Sequence, residues 1–235
     1  RRVLFRSILF MNHGKAFLGI VKTLGSAVVL SLLLFLSAGR LNWTMGWAYV
    51  GLSLIGTVVS ILIVDMDLLA ERAQVGQGAR TLDVILAVIM ARVGPAVIAL
   101  VAGLNVRFGW KPHILPGVQG AGIFMIILGY VVTLWAMASN KFFSGVVRIQ
   151  KERGHTVVTG GPYAIIRHPG YFGAILGTVT VPLMLGSVWA LIPALVTAGV
   201  IVVRTALEDQ TLLRDLPGYS TYAGNVQYRL LPGVW

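Results

Sequence analysis

Two short stretches near the C-terminal end hold most of the residue types from which chemistry could be built. The first reads Gly-Gly-Pro-Tyr-Ala-Ile-Ile-Arg-His-Pro-Gly-Tyr from Gly160 to Tyr171. The second runs Arg204-Thr-Ala-Leu-Glu208-Asp209 and continues through Gly218-Tyr219, Tyr222 and Tyr228-Arg229 to Trp235. The chain has only 8 acidic residues, and two of them stand side by side here, at the end of an apolar segment. Charge next to lipid is costly and seldom idle. Pro169 suits the first turn of a helix, which puts His168 at or just before the cap, beside free N–H groups and the positive end of the dipole. That edge would suit a carboxylate or a ribose hydroxyl, and Gly160-Gly161 permits a sharp loop ahead of it. Arg204 and Glu208 are four apart and share one helical face. Each motif also has a bland reading: Arg167 snorkelling between Tyr163 and Tyr171 at the headgroups, and Arg204–Glu208 as a surface ion pair worth about 0.2–0.5 kcal/mol. A hydrophobic hairpin between the motifs brings them onto facing walls, His168 and Tyr171 on one, Arg204 and Glu208 on the other. That points to a cofactor pocket at the membrane surface.

The elements that must position these residues are membrane helices. The chain is 57% hydrophobic and 11% charged, against about 25% charged in soluble proteins. A span needs about 20 apolar residues. Four segments supply them, near Ala16–Ala38, Trp43–Val64, Leu82–Gly103 and Val118–Ser139. The region Tyr171–Val203 holds two shorter helices that turn at Gly186-Ser187. The expectation is an all-α polytopic membrane protein of five to six transmembrane helices, the last two forming a hairpin. Residues 11–139 form a four-helix region and 140–235 a cofactor-binding region. Asn140–Gly161 contains strand-like alternation but reads as an ordered loop covering the pocket. Asp65–Thr81 reads as a polar linker with a turn at Leu68–Arg72. Trp43, Trp47, Trp110 and Trp189 fall near span ends, where such rings prefer the interface. Arg1 to Ser7 looks like a translated sequencing adaptor, so residues 1–10 are expected to be a non-native leader, with the natural chain starting at or before Met11.

A formal charge of +11 raises nucleic acid as a partner, but the positives sit in short loops beside apolar spans, which favours orientation and contact with anionic lipid. With the N-terminus inside and the leader left out, twelve Lys and Arg fall on the cytosolic side, three (Arg40, Arg107, Lys111) outside and Arg92 within the membrane. Both termini are therefore expected in the cytoplasm, of a bacterial cytoplasmic membrane. The absence of cysteine excludes disulfides and thiolate chemistry, and the scattered His13, His113, His155 and His168 form no zinc motif.

The composite of RHPxY, hydrophobic hairpin, paired acids, Gly-Tyr-x-x-Tyr and a terminal proline resembles the isoprenylcysteine carboxyl methyltransferase family, with the phospholipid methyltransferases as more distant relatives. It covers about His155–Trp235. Asp209 stands where the family usually has Glu. Arg148 stands where some relatives carry glutamine, with Gln150 nearby. The resemblance implies a site for S-adenosyl-L-methionine without a Rossmann domain, and the chain has no GxGxxG between strand and helix. It implies that His155, Thr156, Val157 and Val158 line the cofactor, that Tyr163, His168, Pro169, Gly170 and Tyr171 hold its ribose and methionine parts, and that Glu208 adds a polar contact. Arg204 matches the family's acceptor-facing arginine and is the expected catalytic residue; no metal is expected. Methyl transfer from sulfonium is an in-line displacement whose main demand is alignment. A carboxylate acceptor is already ionised at neutral pH, and an arginine can grip it bidentately, whereas an amine would need a base. A carboxylate or thiolate on a lipophilic or lipid-linked molecule from the bilayer is thus the expected acceptor.

Two alternatives remain: N-methylation of an aminophospholipid, and a non-catalytic transporter or lipid-binding protein, although the internal symmetry common in transporters is not visible. Arg92 lies mid-span, three residues before Pro95; its expected partner is a carbonyl freed by the proline, with a headgroup or substrate contact as the other option.

Overall fold

The computed structural model describes residues 2–64 and 81–235. The Asp65–Thr81 linker and its Leu68–Arg72 turn therefore fall outside the described residues, apart from Thr81. Helix α1 runs Arg2–Ala38 and α2 Thr44–Ile63. Helix α3 runs Thr81–Phe108, with a π-helical turn at Ile89–Val93. Then follow α4 (Pro116–Ser139), α5 (Pro169–Met184), α6 (Leu191–Asp215) and a short α7 (Tyr219–Asn225). Among the described residues, five helical segments, Phe17–Ala38 of α1 together with α2, α3, α4 and α6, are long and apolar enough to cross a membrane. At 16 residues, α5 reaches about 24 Å, short of a core of about 30 Å. This is the expected all-α membrane architecture.

The π turn answers the proline. Pro95 cannot donate into the helical ladder, and the Gly94 N–H reaches back to the Ile89 carbonyl instead. Arg92 lies in this turn with its side chain exposed on the helix surface. No carbonyl holds it among the described residues, which corrects the sequence expectation: the backbone rearranges and needs no guanidinium.

Helix α1 packs on α3, α4 on α5, and α5 on α6. The α4–α5 pair is close because small residues face each other: a Cβ on Gly129 would sit 2.8 Å from the Gly173 carbonyl oxygen. The α5–α6 hairpin turns where expected, at Gly186 with φ +79°. The turn is pinned by an isolated backbone bridge between His113 and Ser187 and by Trp189 Nε1 donating to the Lys111 carbonyl at 2.9 Å. Trp47, Trp110 and Trp189 are exposed as interface anchors should be, but Trp43 is buried and packs edge-on to Phe35. At the opposite end of the bundle, Ile20 of α1, Val64 after α2 and Met137 of α4 pack together with Phe143. The starts of α1, α3 and α5 and the ends of α2, α4 and α6 therefore share one end, and the polar clusters lie there.

Candidate active site

Pro169 opens α5 as its first-turn residue, with His168 as the N-cap. The Arg167 and His168 amides donate to the Tyr228 and Arg229 carbonyls, each at 2.9 Å, so the tail after α7 fixes the entry to α5. The segment 140–161 folds over this end as a loop carrying one 3-10 turn, Lys151–Arg153, and its strand-like alternation forms no strand. Loop, helix start and α6 enclose a cavity of about 260 Å³. It is lined by His155, Thr156, Val157, Val158, Tyr163, His168, Gly170, Tyr171, Arg204 and Glu208. Of the expected site residues only Pro169 is not among the lining; it is buried behind the wall.

Neighbours on α6, Glu208 and Asp209, serve different structures. Asp209 is completely buried and accepts from Arg167 Nη1 at 3.0 Å, Tyr219 Oη at 2.9 Å and Arg229 Nε at 2.8 Å. His168 Nε2 lies 3.1 Å from it, a position that an N–H donor fits. The carboxylate thus ties together α5, α6, α7 and the tail. Half-buried Glu208 accepts from the Tyr171 hydroxyl and otherwise faces the cavity.

Arg204 does not pair with Glu208. Its side chain is 2% exposed, and its partner is Asp83 at the start of α3, whose Oδ1 accepts from Nε at 2.9 Å. Nη2 donates to the Gly145 carbonyl at 2.7 Å, and Nη1 lies 3.9 Å from Met90 Sδ. The guanidinium also sits 5.7 Å from the Tyr171 ring centre. The surface ion pair is therefore excluded, and Nε and Nη2 are both engaged by oxygens, with Nη1 against the Met90 sulfur. Asp83 has no place among the sequence candidates. Its signal was an acid inside the first turn of an apolar span in a chain with few acids, the same cost argument that marked Glu208.

The loop wall has its own order. Gln150, fully buried, donates to the Phe142 carbonyl at 2.8 Å and accepts from Arg153 Nη1 at 2.6 Å. It is structural, and Arg148 lines the cavity instead, with Glu152 beside it at 2.7 Å. That hydrogen bond holds the Glu152 carboxyl below its usual range. His155 stacks on Phe142 with ring centres 4.4 Å apart, and its Nδ1 accepts from the Gln150 amide at 3.3 Å. Burial, followed by the nearby Arg153 and Arg148 charges, pushes its imidazole below the ordinary histidine value. Burial also raises the phenols of Tyr163 and Tyr219, and that of Tyr222 to about 12. All three therefore stay neutral: the Tyr222 hydroxyl donates to the Tyr163 carbonyl at 2.7 Å, and the Tyr163 hydroxyl accepts from Asn140 Nδ2 at 3.2 Å.

Residues 122–214 match the model of the Isoprenylcysteine carboxyl methyltransferase family. Over 69 residues, 29% of the chain, it is 36% identical to a probable protein-S-isoprenylcysteine O-methyltransferase of Oryza sativa subsp. indica, covering 36% of that protein. Over 69 residues it is 35% identical to protein-S-isoprenylcysteine O-methyltransferase B of Arabidopsis thaliana, covering 35% of it. A 68-residue match to the Rattus norvegicus protein-S-isoprenylcysteine O-methyltransferase is 37% identical and covers 24% of it. The matches thus span about a third of these plant relatives. The solved eukaryotic intramembrane Ras methyltransferase, an isoprenylcysteine carboxyl methyltransferase, superposes with a TM-score of 0.51 over 94% of this chain and 98% of that one, at 15% identity. The 122–214 segment is thus similar to the isoprenylcysteine carboxyl methyltransferases, the family the C-terminal motifs resemble, and the chain shares the fold of the solved one.

Proposed function

We propose that this protein is a membrane-embedded methyltransferase that uses S-adenosyl-L-methionine to esterify the carboxylate of an isoprenylcysteine-like, lipophilic acceptor arriving from the bilayer. The observation that carries this reading is the meeting of Arg204, Glu208, Tyr171 and the Thr156–Val158 loop around one cavity at the end of the bundle. The cavity's donor set suits the cofactor. Arg167 lines it and keeps a buried Nε–H with no partner among the described residues, a fitting donor for an anionic group. Glu208 supplies a carboxylate and Tyr163, Tyr171, Tyr219 and Tyr222 supply aromatic faces, both favourable to a sulfonium cation. We assign cofactor contacts to His155, Thr156, Val157, Val158, Tyr163, His168, Gly170, Tyr171 and Glu208, with Pro169 acting by shaping the helix start.

The cofactor, when bound, supplies an electrophilic methyl group whose C–S bond breaks as the acceptor O–C bond forms. The protein's task is alignment and exclusion of water. Arg204 Nη1 orients the acceptor's anionic oxygen, Tyr171 and Glu208 hold each other at the cofactor side, and the 140–161 loop closes the roof. No general base is needed for a carboxylate, which is ionised at neutral pH. We place both termini on the cytosolic side of the membrane, a bacterial one by our reading, in keeping with the Lys and Arg distribution. The short α5 does not alter this, because α4 and α6 end at the same end of the bundle.

Detergent-purified protein should bind S-adenosylhomocysteine by calorimetry, lose that binding on His168→Ala and bind about tenfold more weakly on Glu208→Gln. With a methyl-labelled donor and S-farnesyl-N-acetylcysteine, the product should release labelled methanol in base, as an ester does. A base-stable label in membrane lipid would instead indicate N-methylation, and no label in any acceptor would overturn the enzymatic reading.

A further inference from the structure

Asp83 does not line the cavity, yet it touches the chemistry on two sides. Its Oδ1 accepts from Arg204 Nε at 2.9 Å and its Oδ2 accepts from the Val147 amide at 2.7 Å. Val147 belongs to the loop wall, as does Gly145, whose carbonyl takes Arg204 Nη2 at 2.7 Å. The carboxylate is largely buried and so is the guanidinium. An arginine held at both Nε and Nη2 cannot rotate, and its Nη1 is the only nitrogen left without an oxygen partner among the described residues.

A competing arrangement lies one turn away. Arg204 and Glu208 are spaced as ion-pair partners along a helix, and without Asp83 the guanidinium's nearest carboxylate on its own helix would be Glu208. Glu208 would then leave Tyr171, and both walls of the cavity would lose their order. A buried arginine stripped of its partner also has a strong drive to find another.

We propose that Asp83 is the positioning residue of the acceptor arginine: it holds Arg204 away from Glu208, presents Nη1 alone to the acceptor's anionic oxygen, and couples that orientation to the closed loop at Gly145–Val147. The acceptor contact is then a single directed hydrogen bond, with the plane of the guanidinium set from the far side by α3. This rests on the methyltransferase reading, and the test separates the two.

The full chain in detergent is assayed with labelled donor and S-farnesyl-N-acetylcysteine, and with S-adenosylhomocysteine by calorimetry. Asp83→Asn keeps the shape and one acceptor but loses the charge. It should lower kcat about 100-fold, the cost of a small misplacement in a displacement, while S-adenosylhomocysteine affinity stays within about threefold of wild type, well under a decade of binding constant. The decisive measurement is the double variant. If Asp83 acts through Arg204, Asp83→Asn combined with Arg204→Lys should be no slower than Arg204→Lys alone, since residues acting as a unit are not additive. A merely structural Asp83 would give multiplied losses, and that result, or wild-type kcat in Asp83→Asn, overturns the proposal. Should Asp83→Asn fail to bind S-adenosylhomocysteine, Asp83→Glu takes its place, keeping the charge but moving it by one methylene. It should be about tenfold slower at unchanged affinity, and wild-type kcat would overturn the proposal. A wild type inert towards every acceptor overturns the methyltransferase reading and this proposal with it; an active wild type with multiplied losses overturns this proposal alone.

Discussion

Asp209 and Glu208 are adjacent on α6, yet one closes a structural knot and the other belongs to a site with room in it. Asp209 is saturated by Arg167, Tyr219 and Arg229, with His168 at hydrogen-bond distance, and all of these lie within the last third of the chain. The second cluster, Asp83–Arg204 with Tyr171–Glu208, draws on α3, α5, α6 and the loop wall. Arg204 and Glu208 both line the cavity, and Nη1 of Arg204 has no oxygen partner among the described residues, only the Met90 sulfur at 3.9 Å. The same residue types therefore give opposite outcomes. Complete satisfaction fixes a fold, and a cluster with spare valence at a cavity can bind and orient a ligand.

The sharpest way to break the comparison is to remove its structural half. Asp209→Ala would leave Arg167 and Arg229 without their shared carboxylate, and removing one member of a buried charge network costs about 3–5 kcal/mol. Thermal unfolding in detergent should show a large loss of stability, or no folded protein at all, and ligand binding should vanish with it. Next comes Arg204→Lys, which keeps the charge but loses the planar fork. Turnover should fall about 100-fold with S-adenosylhomocysteine affinity nearly intact, measured by rate and calorimetry side by side. Glu208→Gln should weaken S-adenosylhomocysteine binding about tenfold, about 1.4 kcal/mol, with little change in unfolding temperature. If Glu208→Gln destabilised the protein as Asp209→Ala does, the two clusters would not differ in kind.

The smallest expected effect is one of pH. His155 is held below its usual value by burial and by Arg153 and Arg148, outweighing Glu152, so it is neutral at pH 7 and accepts from the Gln150 amide. The unfolded loop binds a proton more readily, so loop order is fully present above an unfolded value of about 6.5. It is lost as pH falls through the lower folded value. S-adenosylhomocysteine affinity should decline as pH falls below about 6.5, and His155→Asn should flatten that decline.

Local features of the sequence carried far. Apolar runs with a span's length must become helices in a bilayer, since every backbone group needs an internal partner, and the π turn at Ile89–Val93 is the chain's local answer to Pro95. Pro169 fixed a helix start because its ring and missing N–H suit only that turn. Gly186-Ser187 marked the hairpin, and the hairpin in turn brought Tyr171 opposite Glu208. What was not legible was the choice of partner. The spacing of Arg204 and Glu208 allows an ion pair, but each finds a different partner, Asp83 from 121 residues away and Tyr171 from the facing helix. Gln150 and Arg148 could not be ranked for the same reason, because the turn at Lys151–Arg153 sends one inward to Phe142 and the other to the cavity. Spacing along one helix determines which residues can meet. The packing of α3 against α6, and the burial it imposes on a guanidinium that must then be paired, decided which of them do.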